Sequence, residues 1–359
     1  MKTFFILGRN PELSRAEILA FLKARSRVHK EILFHNNLLV IETNEGERWN
    51  IQEFGGVMHL GTIQLEGNQE ELKKYLNEHE IIPADKFSYA IYGELDAQIL
   101  KDKFKQMKKK AAQKHGRELL EFQGGNKGKN PKADFYIFFH EKDGIAYHGL
   151  VTQTYDPTEV KKRDMNKPTR REELAISPRL SKILINLSEA KPYDRLLDPF
   201  CGIGGIMAEA LIKKINVHGI DKDKQATIDA KTNLHWLTKE YKIETKYEIE
   251  NNDSRRAPDL QFSAIATETP LGKILTKKPS DNQAKQLITN FEAYMVPILK
   301  RFKKVKKPKA KIAITFPVIR NLHVDAQKLA ERSGLRIYMQ PILESRSDQF
   351  ISRDLLVLI

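Results

Sequence analysis

The sequence contains one cysteine, Cys201, and lacks any apolar run of the roughly 20 residues that span a bilayer. A single thiol excludes an internal disulfide framework and any metal site with several cysteine ligands, so we expect neither zinc nor another bound metal. The N-terminal stretch MKTFFILGRNPELS turns polar after a very short apolar segment, which is too little for a secretory signal. Together these features predict a cytoplasmic protein without a membrane span.

The positive charge is concentrated in a few places. The 359 residues are enough for two or three domains, and their net charge is +14. Residues 101–132, 160–171 and 300–311 carry about +8, +5 and +8, which leaves the remainder of the chain negative. One such run is commonly a solvated helix face, but three together favour binding to a polyanion such as nucleic acid.

The first part of the chain predicts a small α+β region. KTFFIL, NNLLVIET, GGVMHLGTIQL and KFSYAIYGE have the composition of strands, and NQEELKKYLNEH that of a helix. Ser14 and Glu17 have the spacing of a capping box for a helix in PELSRAEILAFLKAR. A lysine-rich helix is expected over 98–115, followed by the Gly/Lys loop GGNKGKNPKA and the strand DFYIFFH.

After about residue 175 the pattern becomes a regular alternation of strands and helices. Short apolar runs such as DRLLDPF, NVHGID and FSAIATET end in polar residues, with helical segments between most of them. This alternation predicts a parallel sheet with helices on both faces and ligands at the carboxyl ends of its strands. The last two strands are joined by ESRSDQFIS, which is too short for a crossover helix, so we expect that pair to be antiparallel.

The stretch LLDPFCGIGGIMAEA is the strongest local motif. A dinucleotide fingerprint fits Gly202 and Gly204, but its third glycine falls on Met207. Asp198 would repel a pyrophosphate, whereas it suits the ammonium and sulfonium cations of S-adenosylmethionine. The motif therefore favours S-adenosylmethionine over a dinucleotide.

Two further acids follow the next two strands. Asp221 closes NVHGID, where an acceptor for ribose hydroxyls is expected, and Asp253 lies in NNDSRR. Taken alone, Asp221 could simply cap the following helix, and Asp253 could belong to an ordinary turn. Three acids at three successive strand ends favour a nucleoside site.

The segments LAISPRLSKILINLS, LLDPFCGIGG and GIDKD resemble THUMP-containing tRNA guanosine N2-methyltransferases, typified by archaeal and eukaryotic enzymes that modify guanosine 10. The two ends, LGRNPELSRAEI and SRSDQFISRDLLVLI, resemble that family as well. The resemblance implies a class I, Rossmann-like α/β methyltransferase domain with an antiparallel C-terminal strand. It also implies an α+β N-terminal region, ferredoxin-like and then THUMP-like, that binds RNA. The expected domains are 1–165, a basic linker at 166–176, and the catalytic domain at 177–359.

The resemblance implies S-adenosylmethionine as cofactor and tRNA as substrate. A small activating subunit is a further partner that some relatives need, and we expect a monomer otherwise. The residues expected at the cofactor are Ser177, Asp198, Phe200, Gly202, Gly204, Asp221, Lys222, Asp253 and Ser254.

The catalytic strand end of the family reads Asp/Asn-Pro-Pro-Tyr/Phe, and here the aligned residues are Glu268, Thr269, Pro270 and Leu271. A guanine amine is a poor nucleophile, so such a site must accept its N–H groups and aim its lone pair at the methyl group. Leu271 lacks the aromatic face that stacks on a base; Phe316 could supply it or could be an ordinary core residue.

The expected function is therefore methylation of a guanosine N2 amine in tRNA. Two alternatives stay open: a tRNA-binding protein that has lost its chemistry, and an amino-group methyltransferase acting on DNA adenine or protein glutamine. The expected RNA contacts are Lys108, Lys109, Lys110, Lys127, Lys129, Lys161, Lys162, Arg163, Arg170, Arg171, Arg346 and Arg353.

Overall fold

The computed structural model describes residues 1–44, 48–93, 97–114, 133–171, 176–270, 278–345 and 350–359. The chain separates into two compact units. The first unit comprises Met1–Arg15, Arg27–Gln52 and Gly56–Tyr155, and the second comprises Ala16–Ser26, Glu53–Gly55 and Asp156–Ile359. Two short N-terminal pieces thus belong to the second unit.

The first unit is built on one mixed sheet. Its strands are β1 (Lys2–Leu7), β2 (His29–His35), β3 (Leu38–Thr43), β4 (Val57–Gly67), β5 (Lys86–Tyr92), β6 (Lys110–Gln113), β7 (Phe135–Lys142) and β8 (Ile145–Thr154). The helices of the N-terminal part are α1 (Pro11–Ala24), which is divided between the units, α2 (Gln69–Glu78) and α3 (Ala97–Gln106). The strand order is β2-β3-β1-β4-β8-β7-β5-β6. The strands expected from the sequence are present, and β2, β6 and β8 are additional ones.

The expected helix over 98–115 is shorter than the sequence indicated. α3 ends at Gln106, and Lys108 has a left-handed backbone with φ 54°, which an α-helix does not tolerate. After this break, Lys110–Gln113 pairs in parallel with β5 as an edge strand. The buried residues Leu100 and Phe104 hold α3 in the core, whereas Met107, the next apolar residue of the expected stripe, is exposed.

The start of α1 also differs from the expected capping box. The helix begins at Pro11, and the side chain of Asn10 accepts from the N–H of Leu13 at 3.2 Å. Asparagine before the first turn and proline at its first position are both favoured there. Ser14 lies one turn inside, where its hydroxyl donates to the carbonyl of Asn10 at 2.8 Å.

Glu17 is fully buried on α1, within the part that belongs to the second unit. Its Oε1 accepts from the N–H of Gly55 and from the side-chain amide of Asn186, both at 2.7 Å. A buried carboxylate needs such donors because burial without them is costly. Glu17 therefore ties three distant segments of the chain into the second unit.

The second unit is a seven-stranded sheet with helices on both sides. Its strands are β9 (Arg195–Asp198), β10 (Asn216–Asp221), β11 (Tyr247–Asn251), β12 (Phe262–Glu268), β13 (Lys306–Ile319), β14 (Ile337–Glu344) and β15 (Ile351–Leu358). Its other helices are α4 (Thr158–Asn166), α5 (Pro178–Leu187), α6 (Gly205–Ile212), α7 (Lys224–Glu240), α8 (Asp281–Val305) and α9 (Ala326–Ser333).

The strand order is β11-β10-β9-β12-β13-β15-β14. The first five strands of that order are mutually parallel, whereas β15 runs antiparallel to both β13 and β14. The expected parallel sheet and antiparallel final pair are confirmed. After β9 the chain adds β10 and β11 on one side of the sheet, and after β12 it adds β13 on the other side. The carboxyl ends of β9 and β12 therefore flank the switch point where such sheets bind ligands.

α8 is 25 residues long and covers one face of this sheet. Its buried stripe includes Ile288, Phe291, Met295 and Leu299, which share a core with Ile312, Ile314 and Phe316 of β13. Its remaining surface is polar. Neither α8 nor any other described helix combines the length and apolar character needed to cross a membrane.

α4 and the residues after it pack against the second unit. The guanidinium of Arg163 pairs with Glu209 of α6 at 3.0 Å. Thr169 and Asn233 of α7 exchange hydrogen bonds of 2.9 and 3.1 Å. Within the expected linker, 166–171 thus continues this packed segment, and 172–175 lies outside the described residues.

Candidate active site

The loop from β9 to α6 has a backbone that only glycine adopts easily. Gly202 and Gly204 have φ of 50° and 91°, and Gly204 is the residue that precedes the first turn of α6. The N–H of Gly204 closes a tight turn on the carbonyl of Cys201 at 2.8 Å. Both glycines are buried, so the loop passes the end of β9 without side chains at these two positions.

Asp198 ends β9 and is 1% exposed. Its Oδ1 accepts from the hydroxyl of Thr267, at 2.7 Å, and from the N–H of Phe200, at 3.4 Å. Burial raises the pKa of Asp198 to about 7, and the charges of Asp221 and Glu268 act in the same direction, against these hydrogen bonds. Asp198 is thus a buried carboxyl group whose pKa lies near neutral pH.

Asp221 ends β10 and connects the first two strand ends. Its Oδ2 accepts from the N–H of Gly202, and its Oδ1 accepts from the N–H of Asp223, each at 2.9 Å. The carboxylate is therefore oriented by the glycine loop itself. Lys222, the next residue, is exposed, and its Nζ lies 5.9 Å from the ring centre of Tyr294.

Asp253 follows β11 and begins a 3-10 turn, Ser254–Arg256. Its carboxylate accepts from Arg255 through Nε, at 2.8 Å, and a terminal nitrogen, at 2.6 Å. The hydrogen bond from the Arg255 side chain lowers the pKa of Asp253 to about 2. Ser254 is buried, and its hydroxyl donates to the carbonyl of Pro199 at 2.5 Å, so that hydroxyl supports the glycine loop.

Glu268 ends β12, and its carboxylate accepts from Nε of Arg353 on β15. The two side chains are 17% and 13% exposed. Arg353 was expected at an RNA phosphate; the structure instead pairs it with a protein carboxylate. Pro270 is exposed beyond the strand end, while Leu271 and Arg346 lie outside the described residues.

Thr269 is buried where the family motif has its first proline. Its N–H and its hydroxyl donate to Oγ1 and the carbonyl oxygen of Thr315, at 3.2 and 2.7 Å. A proline could make neither bond, because it has no N–H and no hydroxyl. The departure from the motif is thus accommodated by the neighbouring strand.

Ser177 and Phe200 flank the glycine loop. Ser177 precedes α5, and its carbonyl accepts from the N–H of Ser181 at 2.9 Å. Phe200 is half-buried against the core that contains α8. Phe316 is fully buried in the same core, with its ring 5.6 Å from that of Phe291, so it offers no face to a base.

The expected RNA-binding lysines of the first unit divide into two kinds. Lys108 and Lys110 are exposed. Lys109 is not: its ammonium donates to the carbonyls of Ile82 and Ala84 at 2.7 and 2.9 Å, and its side chain is 4% exposed. Lys109 is therefore a structural residue, because its donors are used inside the fold. Lys127 and Lys129 lie outside the described residues.

The basic residues of 160–171 divide in the same way. Lys161, Lys162 and Arg170 are exposed, although Lys162 also lies 3.3 Å from Glu240. Arg163 makes its pair with Glu209 while only 10% exposed. Arg171 pairs with Asp223 and Asp229 at 3.1 and 2.9 Å. The two paired arginines hold this segment on the second unit.

Three side chains near these strand ends were missed by the sequence interpretation: Thr267, Thr315 and Tyr294. Thr267 is a hydroxyl within an otherwise apolar strand, which is a usable signal for a buried polar contact. Thr315 and Tyr294 carry no comparable signal, because their relevance depends on which strand or helix lies next to them.

The residues of the glycine loop fit S-adenosylmethionine. The oriented carboxylate of Asp221 is a hydroxyl acceptor, and the carboxyl group of Asp198 is a partner for a cation, beside a loop that has no side chain at Gly202 and Gly204. A pyrophosphate would meet two carboxyl groups in the same place.

Residues 163–305 match a family model described as UPF0020: RMKL-like, methyltransferase domain. A tRNA (guanine(10)-N2)-dimethyltransferase from Pyrococcus abyssi is 26% identical over 344 residues, which cover 92% of each chain. The enzyme of the same name from Methanothermobacter thermautotrophicus is 38% identical over 99 residues, which cover 27% of this chain and 28% of that one. Residues 163–305 are therefore similar to a methyltransferase domain, and most of the chain is similar to proteins named tRNA (guanine(10)-N2)-dimethyltransferase.

Solved structures of low identity show the same fold. TrmN from Thermus thermophilus matches with a TM-score of 0.55 and 13% identity, over 100% of this chain and 99% of that chain. A "possible methylase" from Clostridium difficile matches with a TM-score of 0.50 and 15% identity, over 99% and 97%. This chain thus shares the fold of these two proteins.

Proposed function

We propose that this protein transfers a methyl group from S-adenosylmethionine to the exocyclic N2 amine of a guanosine in tRNA. The observation that carries the proposal is the oriented carboxylate of Glu268 at the end of β12, the strand next to β9 and its glycine loop. The similarity to a methyltransferase domain model and to a protein named tRNA (guanine(10)-N2)-dimethyltransferase supports the same reaction.

The cofactor would be held by the residues at the first three strand ends. In this proposal Asp221 accepts from ribose hydroxyls, Asp253 accepts from the adenine amine, and the methionine part lies along the loop at Gly202 and Gly204. The support is the position of all four residues at or just after the ends of their strands. Ser177, Phe200 and Lys222 border this place. When bound, S-adenosylmethionine supplies an electrophilic methyl group bonded to a cationic sulfur.

The residues of the fourth strand end would hold the base. Glu268 accepts one N–H of the guanine amine, so that the lone pair of N2 points toward the methyl group. Thr269 keeps the backbone at this point attached to β13. Pro270 follows directly, and its carbonyl is the proposed acceptor for the second N–H of the amine.

The names of the relatives suggest the nucleotide and the product. We propose guanosine 10 as the target and two methyl groups as the final state. The tRNA would be held by exposed cations that the structure describes, namely Lys108, Lys110, Lys161, Lys162 and Arg170. A monomeric enzyme and a small activating subunit stay predictions of the sequence.

The test uses purified protein, an unmodified tRNA transcript and radiolabelled S-adenosylmethionine at low salt. Mass spectrometry of the digested nucleosides should show N2-methylguanosine and then N2,N2-dimethylguanosine. A transcript with adenosine at position 10 controls for the site, and Glu268→Ala controls for the chemistry. Normal cofactor binding without methylation of any tRNA would refute the proposed function.

A further inference from the structure

Glu268 and Arg353 leave their strands on either side of β13 and on the same face of the sheet. In the parallel pair, Glu268 lies opposite Thr315, and in the antiparallel pair Arg353 lies opposite Pro317. Thr315 and Pro317 are two residues apart, so their side chains share a face. That face is opposite to α8, because the even-numbered residues Ile314 and Phe316 pack into the core with that helix.

This arrangement joins a long carboxylic side chain to a long cationic one. The carboxylate at the end of β12 contacts an arginine that belongs to the second strand along, across the width of β13. Glutamate is one methylene longer than the aspartate or asparagine of the family motif. The longer side chain of Glu268 and its pairing with Arg353 therefore belong together in this chain.

We propose that Arg353 is a positioning residue that holds the Glu268 carboxylate in the orientation in which it accepts the guanine N–H. This inference rests on the proposed function and adds to it a residue on the last strand. Both side chains are more than four-fifths buried, so solvent screens the attraction between their charges only weakly. The ion pair therefore favours one orientation of the carboxylate over many.

The surroundings explain why an arginine is needed here. Asp198 and Asp221 also lie near this edge of the sheet, and the charge of Glu268 acts on the pKa of Asp198. Like charges in a buried site repel, and a cation between β13 and the final hairpin offsets that repulsion on the side of Glu268. A guanidinium also fixes direction, since its planar donors match a carboxylate better than an ammonium does.

The first experiment separates positioning from RNA binding. Arg353→Gln should lower kcat by roughly 10- to 100-fold, the range expected for a displaced catalytic group, with the KM for tRNA changed by less than about twofold. Arg353→Lys should recover part of the loss. Arg336→Gln is the matched control, because Arg336 is an exposed residue at the opposite end of the same hairpin; it should leave kcat unchanged.

The second experiment is a double-mutant cycle with Glu268→Gln. If Arg353 acts through Glu268, adding Arg353→Gln to Glu268→Gln should change kcat by less than about twofold. A rise in KM with a shallower salt dependence, or a full-sized effect in the Glu268→Gln background, would instead make Arg353 a phosphate contact and overturn the inference.

The four proteins of this cycle, namely the wild type, Arg353→Gln, Glu268→Gln and the double variant, are also compared by thermal unfolding. Non-additive changes in Tm are expected, because each single variant breaks the same ion pair; additive changes would contradict it. Absence of turnover by the wild-type enzyme would refute the proposed function together with the kinetic role of Arg353. The unfolding cycle would still decide whether the two residues are coupled.

Discussion

Thr269 and Thr315 are joined by two hydrogen bonds, in which the N–H and the hydroxyl of Thr269 donate to the hydroxyl and the carbonyl of Thr315. Both residues are buried, at 1% and 0% exposure. The residue that directly follows β12 is thus attached to β13 by donors that the proline of the family motif lacks.

Replacing Thr269 with proline should therefore destabilise the second unit, although it restores the family motif. Two buried bonds would be lost, and an unpaired buried acceptor costs about 1–3 kcal/mol, so we expect a loss of about 2–4 kcal/mol. Thr269→Ser retains both donors and should lose less than about 1 kcal/mol. Urea unfolding in a Trp49→Phe background measures this, because Trp236 then reports on the second unit alone. Equal losses in the two variants would contradict the role of these hydrogen bonds.

Asp198 predicts a pH dependence of cofactor affinity. Its pKa is raised to about 7, so the carboxyl group is largely neutral at pH 6 and largely charged at pH 8. Only the charged form attracts a sulfonium, and affinity for S-adenosylmethionine should increase about tenfold over this range. Calorimetric titrations at several pH values test this. Asp198→Asn should bind with a flatter pH profile, and parallel profiles for the two proteins would exclude the assignment.

Two buried histidines predict acid lability of the first unit. His59 and His148 are 1% and 0% exposed, and burial lowers the pKa of each to about 4. The unfolded chain takes up protons near pH 6.5 while these residues stay neutral, so stability is complete above pH 6.5 and falls toward pH 4. The full difference is about 3 kcal/mol for each histidine.

The measurement is urea unfolding between pH 4 and 7 in a Trp236→Phe background, in which Trp49 reports on the first unit. A double His59→Gln and His148→Gln variant should show a much smaller pH slope, whatever its absolute stability. An unchanged slope would mean that other groups cause the lability.

The adjacent lysines 108, 109 and 110 should behave differently in tRNA binding. Removing exposed Lys108 and Lys110 together should lower the salt slope of the binding constant by about 1–2, the contribution of one or two phosphates. Lys109→Ala should leave that slope unchanged and lower Tm, since its ammonium is held by the carbonyls of Ile82 and Ala84. Fluorescence anisotropy over a range of salt concentrations distinguishes the two. Identical slopes for both variants would contradict this division.

Local patterns were sufficient to predict the sheet of the second unit and the places of Asp198, Asp221 and Asp253, because each depends on a short apolar run and the residue that ends it. The contacts between side chains at the strand ends were not predictable. Glu268 and Arg353 are 85 positions apart and meet only through strand order.

Side-chain direction was equally inaccessible. Lys109 differs from its neighbours because the left-handed backbone at Lys108 turns the chain, and Arg163 is buried because Glu209 lies on the helix beside it. A charge run in a sequence gives the number of cations, but the fold decides how many of them face water.

The buried carboxylate of Glu17 has a practical consequence for the design of truncated proteins. A fragment that begins after Tyr155 would keep the whole seven-stranded sheet and yet lack residues 16–26 and 53–55. The amide of Asn186 would then lose its acceptor. The guanidinium of Arg179 and the ammonium of Lys213 would lose the carbonyls of Gly55 and Glu53. A catalytic fragment that folds on its own would have to be spliced from three pieces, so inactivity of a simple truncation would say nothing about where the tRNA binds.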